Sequence, residues 1–198
     1  MKFDIFCKRP ASKKKAANLF FTSKNYIKQP ERIPNFCYTL TMEIPEFGKN
    51  PIDVYSKPVG VTETKLTRIF QMQAREKPEK PGRSLLVTWD ARLPLVKGFN
   101  NKYSYLVIFD GKNNLAGNHY HEHKQELFNP VGGDFVVLLE DIETKEREEL
   151  EISAKDYPVV YIPTRIAHTV VANSNIAVLL VTASYPGIED DEFPYKLR

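Results

Sequence analysis

The sequence predicts an all-β domain of the sandwich, barrel or jelly-roll kind. Two observations carry that expectation. Short apolar or alternating segments succeed one another from residue 84 to residue 184, with turn residues between most of them. No helix of ordinary length is demanded anywhere in that span. The chain has 198 residues, 42% of them hydrophobic, enough for one sizeable core and a small appendage.

The elements follow in order. Residues 1–30 read as an irregular arm carrying the basic cluster Lys8-Arg9-Pro10-Ala11-Ser12-Lys13-Lys14-Lys15. Residues 31–83 read as an N-terminal β extension that packs on the barrel or on a dimer partner. Within it Phe36, Tyr38, Leu40 and Met42 alternate with polar neighbours, the pattern of a half-buried strand, and 52–56 is a shorter candidate. Residues 64–75 fit a strand or a helical face, and the strand is preferred because the neighbours are strands. In that register Arg68 points inward with Leu66 and Phe70 and must find an anion there. The Pro- and Gly-containing segment 77–82 is a loop. Residues 84–198 then form the barrel and its C-terminal tail. The strands expected there are 84–90, 103–110, 135–142, 149–153, 159–163, 169–172 and 176–184. The run Val136-Val137-Leu138-Leu139 is apolar on both faces, as a central strand requires.

Composition excludes several classes. Two cysteines, Cys7 and Cys37, make neither a disulfide framework nor a metal-spaced pair, and they suit reduced thiols in the cytoplasm. No apolar run reaches the roughly 18 residues that span a bilayer, and the first residues lack the apolar core of a secretory signal. A cytoplasmic location with no membrane partner is the expectation. Residues 1–100 hold 19 Lys/Arg against 9 Asp/Glu, and residues 101–198 hold 9 against 16. This asymmetry is read as ordinary surface charge, so nucleic acid is not an expected partner.

Chemistry concentrates in the histidines. Three of the four fall in Gly117-Asn118-His119-Tyr120-His121-Glu122-His123, and the fourth is His168. His119 and His121 are two apart, so on a strand both rings project from one face. Glu126 adds a carboxylate and His168 a third imidazole from another strand. Such a set suits Zn, Ni, Mn, Co or Fe, with positions left for water or substrate. Parity alone places Glu126 on the face opposite His121, so a bulge or turn must separate them. His123 shares the parity of the other two but is expected at the rim or surface.

These residues resemble the cupin superfamily. His119-Tyr120-His121, Glu126 and Gly133 have the spacing of its first motif, and Pro163, His168 and Asn173 that of its second. Arg165 replaces a glycine of the second motif, and Asn173 stands one position late. The resemblance covers roughly residues 84–195 and implies a double-stranded β-helix, the jelly-roll barrel, with a divalent metal at His119, His121, Glu126 and His168. Gly117 to His121, with Lys124 and Glu126-Leu127-Phe128, is similar to cupins of nucleotide-sugar metabolism. These are the dTDP-sugar 3,4-ketoisomerases and the C-terminal cupin domain of a capsular-polysaccharide enzyme that epimerises a UDP-4-keto sugar. Those families carry a basic residue where this chain has Ala116, so a phosphate or hydroxyl contact is either missing or supplied elsewhere, with Arg68 and Arg165 the candidates.

The resemblance implies an isomerase or epimerase acting on a nucleotide-linked 4-keto sugar in surface-polysaccharide biosynthesis. Such a reaction needs a base, an acid and a group to hold the oxyanion of an enediol or enolate. A bound metal polarises the ketone as a Lewis acid; without metal, His119 or His121 is the candidate base and Tyr105, on the preceding strand, the candidate acid. Two alternatives remain at this level. One is a metal-dependent small-molecule oxygenase using Fe(II); the other is a non-catalytic sugar- or small-molecule-binding module. A homodimer is expected, because jelly-roll sheet edges need covering.

Overall fold

The computed structural model describes residues 56–76, 81–187 and 189–198. The arm 1–30 and the strand candidates at 36–42 and 52–55 lie outside them. The described residues form two antiparallel sheets and a short ladder. The six-stranded sheet has the order β1-β2-β10-β7-β12-β5, and the five-stranded sheet β13-β6-β11-β8-β9. The strands are β1 (Gly60–Glu63), β2 (Arg68–Gln71), β3 (Ala74–Glu76), β4 (Ser84–Leu86), β5 (Tyr103–Phe109), β6 (Leu115–Tyr120) and β7 (Glu126–Gly132). They continue with β8 (Asp134–Asp141), β9 (Arg147–Ser153), β10 (Pro158–Ile162), β11 (Ile166–Ala172), β12 (Ala177–Ala183) and β13 (Phe193–Pro194). Among the described residues, β3 and β4 pair only with each other. No helix among the described residues is long and apolar enough to cross a membrane.

Period-two alternation builds the core between the sheets. Phe109, Leu179 and Val181 from one sheet meet Phe135, Val137 and Val170 from the other, all at most 4% exposed. Each such side chain contributes roughly 1.5–3 kcal/mol by leaving water. A second apolar cluster lies on the outer face of the six-stranded sheet. There Phe70, Leu127, Val159 and Tyr161 pack with Val96 and Phe99 from the 87–102 connection.

Residues 64–75 hold two strands, and β2 adds to the barrel by pairing with β10. It is apolar on both faces: Ile69 enters the main core and Phe70 the outer cluster. Arg68 shares the face of Phe70, as parity requires, but that face is the outer one. The inward placement is therefore corrected. Arg68 lies over the Tyr161 ring at 5.6 Å and pairs with Glu63 at 3.4 Å, with 39% of its side chain exposed. Leu66 leaves that alternation because the Thr64–Thr67 turn intervenes, Thr64 N–H donating to the Thr67 carbonyl.

Other differences are local. Regular structure after the loop stops at Leu86, not at residue 90. β7 was not foreseen, because Asn129 and Pro130 disfavour a strand. Pro130 is accommodated where the β7–β12 register shifts, between Val178 and Leu179.

Candidate active site

The site lies at one end of the barrel, where β6, β7 and β11 converge. Ala116 packs against the core, so strict alternation along β6 turns His119 away from it. A bulge reverses that outcome. The β6–β11 register steps from His168↔His119 to Thr169↔Gly117, leaving Asn118 as the extra residue. Gly117 has φ +99 and Asn118 φ +65. A Cβ on Gly117 would sit 2.6 Å from the His168 carbonyl oxygen, so this position requires glycine. Asn118 is held by Thr169, whose hydroxyl donates to its Oδ1 at 2.8 Å.

The bulge brings three imidazoles together. The His119 ring centroid is 4.7 Å from both His121 and His168. One nitrogen from each ring lies within 4.8 Å of the others. His121 and His168 are each 2% exposed. His121 Nδ1 bonds the Asp191 carbonyl oxygen, and His168 Nδ1 bonds the Ile166 carbonyl oxygen at 3.1 Å. A carbonyl only accepts, so both rings carry their proton on Nδ1 and present a bare Nε2. Burial lowers the pKa of all three, that of His121 to about 4 and that of His168 to about 3, so all are neutral at pH 7.

Glu126 enters from the start of β7 and is 1% exposed. The turn demanded by its parity lies at residues 121–125. Asp191, 1% exposed, holds that turn from the C-terminal tail. Its carboxylate accepts from the backbone N–H of Glu122 and His123 at 3.0 Å and of Lys124 at 2.9 Å. Glu126 Oε2 then faces His168 Nε2 at 3.4 Å and His121 Nε2 at 3.8 Å. Glu126 Oε1 faces the Tyr105 hydroxyl, which donates at 3.2 Å, and the Lys124 ammonium at 3.7 Å. Burial and then the Glu126 charge push the Tyr105 phenol well above its usual pKa, so it keeps its proton. Tyr105, His119, Glu126 and His168 line one cavity whose other walls include Phe128, Val170 and Leu179.

Comparison with known proteins gives the architecture a name. The sequence matches no curated protein. A family model described as "Polysaccharide biosynthesis C-terminal domain" matches residues 100–186. Among solved structures, the chain is similar to a dTDP-6-deoxy-D-glucose-3,5-epimerase from Legionella pneumophila. The TM-score is 0.57 at 14% identity, covering 68% of this chain and 76% of the other. It is similar to a 3,4-ketoisomerase from Helicobacter canadensis, with TM-score 0.54 and 18% identity, covering 64% and 89%. A sugar 3,4-ketoisomerase from Thermoanaerobacterium thermosaccharolyticum, in complex with TDP, gives TM-score 0.53 and 18% identity, covering 65% and 87%. The fold is the cupin jelly roll.

His119, His121, Glu126 and His168 come together at this end of the barrel, and their chemistry suits a cation. Three acceptors, His121 Nε2, His168 Nε2 and Glu126 Oε2, face one another with no proton among them. His121 Nε2 is buried and has no hydrogen-bond partner among the described residues. Converging lone pairs repel unless a cation stands between them, and neutral imidazoles with a carboxylate are a suitable donor set. Glu126 is the least free of the four, because Tyr105 and Lys124 already engage it.

Arg68 and Arg165 are not among the residues that line this cavity. Arg165 (φ +65) sits in the turn before β11, where its N–H donates to the His121 carbonyl at 2.7 Å. Its guanidinium pairs with Glu143 at 2.6 Å and Glu122 at 3.6 Å. His123 is exposed and packs near Tyr185. Although Lys124 stands in the segment that resembles nucleotide-sugar cupins, sequence reasoning gives no site role to Asp191, Lys124 or Glu192. The last pairs with Lys124 at 3.3 Å. The acidic run 189–192 is visible in the sequence, but no local pattern ties it to the histidines.

Proposed function

We propose that this cupin is an isomerase or epimerase of a nucleotide-linked 4-keto sugar. The observation that carries the reading is the pairing, across one cavity, of a protonated phenol on Tyr105 with a neutral imidazole on His119. The C–H beside a ketone is acidic, and its removal leaves an enolate that must be reprotonated. His119 is the base: it is only partly buried, and its neutral ring has a lone pair to take the proton. Tyr105 is the acid, its proton retained until carbon or oxygen of the enolate receives it. Glu126 orients Tyr105 by accepting its hydroxyl, and the apolar walls exclude water. His121 and His168, fixed by their carbonyl partners, complete the polar end. Resemblance to the solved sugar epimerases and ketoisomerases supports the substrate class.

We also propose that His119, His121, His168 and Glu126 can hold a divalent ion, which would take the His119 lone pair, so proton abstraction by His119 belongs to the ion-free site. When bound, such an ion supplies Lewis-acid polarisation of the ketone. Elemental analysis of protein purified without a His tag or chelator is expected to find about one equivalent, lost in His121→Ala.

The catalytic reading is tested by incubating dTDP- and UDP-linked 4-keto-6-deoxy sugars with the protein and following products by NMR. Conversion is expected for the parent, falling by about 10²–10⁴ in Tyr105→Phe and His119→Asn, the range for a positioned acid or base. Unchanged rates in both variants would refute the assignment.

A further inference from the structure

Lys124 is a buried cation that the reaction scheme above does not use. Its side chain is 2% exposed, among the largest fully buried side chains in the molecule. Burying an ammonium is costly unless carboxylates compensate it. Two do so here. Its Nζ stands 3.7 Å from Glu126 Oε1, inside the site, and 3.3 Å from Glu192 Oε1, whose side chain is 46% exposed. Its backbone is pinned by Asp191. Among the described residues, no other lysine or arginine lies within ion-pair distance of Glu126. The two oxygens of Glu126 are thereby divided. Oε1 is committed to Lys124 and Tyr105, and Oε2 faces the histidines.

From this division we infer that Lys124 is a positioning residue that tunes the cation affinity of the site through Glu126. It reserves Oε1, so that Glu126 offers a cation one oxygen. It also cancels the carboxylate charge, so that the three imidazoles and Glu126 together with Lys124 carry no net charge. A divalent ion held by such a set binds less tightly than one held by the same ligands without the ammonium. Glu192 moderates the effect by drawing the ammonium toward the rim. The consequence is a site whose ion exchanges rather than one locked shut, with a carboxylate still free to orient Tyr105. The inference rests on the proposed ligand set and not on the sugar substrate, so it stands or falls separately from the isomerase reading.

The test is calorimetric titration of Co²⁺ into the metal-stripped full chain, with the d–d absorption of Co²⁺ as a second readout. Lys124→Met keeps an unbranched side chain one atom shorter and removes its charge. It is expected to bind Co²⁺ about 10- to 100-fold more tightly than the parent, with a changed d–d spectrum as Oε1 becomes available. Lys124→Arg restores the charge and is expected to return the affinity toward the parental value. Equal or weaker binding by Lys124→Met overturns the inference, as does a gain of the same size in Lys124→Arg. An absence of binding in both parent and Lys124→Met overturns it too. Glu192→Gln, at an exposed position, keeps the test decisive if Lys124→Met does not fold. Releasing Lys124 entirely to Glu126 is expected to weaken Co²⁺ binding two- to fivefold, and unchanged binding contradicts the mechanism.

Discussion

Replacing Asp191 with alanine removes one buried carboxylate and leaves every histidine in place. The carboxylate accepts three backbone N–H bonds, at 3.0, 3.0 and 2.9 Å, from the turn that carries the chain from His121 to Glu126. A hydrogen bond to a charged group contributes about 1.5–3 kcal/mol, and a buried donor left unpaired costs about 1–3 kcal/mol. The three losses are unequal. His123 is exposed and Glu122 half-buried, so water replaces much of what their N–H groups lose. Lys124 is buried and bears the full cost. The sum is about 3–5 kcal/mol. In a domain of this size 1 kcal/mol moves the midpoint by about 2–4 °C, so Asp191→Ala is expected to melt about 6–20 °C below the parent. Asp191→Asn keeps one acceptor oxygen and should fall between them. Circular dichroism or calorimetric melts at neutral pH supply the measurement. A drop under about 2 °C would refute the view that the C-terminal tail builds the site's turn.

Gly117→Ala should destabilise the barrel by at least about 2 kcal/mol, because the new methyl meets the His168 carbonyl at a positive φ; an unchanged melt would contradict the bulge geometry. His121 and His168 have pKa values lowered to about 4 and about 3, so between pH 6.5 and 4 the unfolded chain binds protons that the folded chain refuses. Their contribution to stability is therefore complete above pH 6.5 and is lost as pH falls toward those values; a melting temperature flat from pH 6.5 to 4.5 in metal-free protein would argue against it. The outward face of β5 and β12 bears Ser104, Leu106, Ile108, Val178 and Leu180 with no charge, and Leu106 and Ile108 are 55% and 70% exposed. A second copy can pack there without setting like charges together, so the parent is expected to be a homodimer by light scattering and Ile108→Asp a monomer. A parent already monomeric at micromolar concentration would remove that expectation.

The barrel was legible because most of its strands alternate or run apolar between clear turns. The exceptions have physical causes. β7 contains Pro130, which lacks an N–H, and a register shift absorbs that defect where no single-sequence pattern records it. Parity puts Arg68 on the same face as Phe70, but a strand with apolar residues on both faces does not say which face meets the core. In the site, the spacing of His119, His121, Glu126 and His168 carried most of the information. Parity even required the break between His121 and Glu126. What supplies that break, the Asp191 carboxylate, lies about seventy residues away in the chain. Carboxylates that cap a distant turn leave no local signature. The bulge at Asn118 was equally hidden, although Gly117-Asn118 is a pair suited to positive φ.

The central claim is that Tyr105 and His119 move a proton at the carbon beside a ketone. Solvent exchange tests it without knowledge of the final stereochemistry. The protein is incubated in D₂O with dTDP-4-keto-6-deoxyglucose and its UDP counterpart, and the recovered sugars are analysed by mass spectrometry and proton NMR. The account predicts deuterium at the carbon next to the ketone with the parent, and near-background incorporation with Tyr105→Phe or His119→Asn. Background incorporation with the parent on both sugars, or full incorporation in both variants, would contradict it.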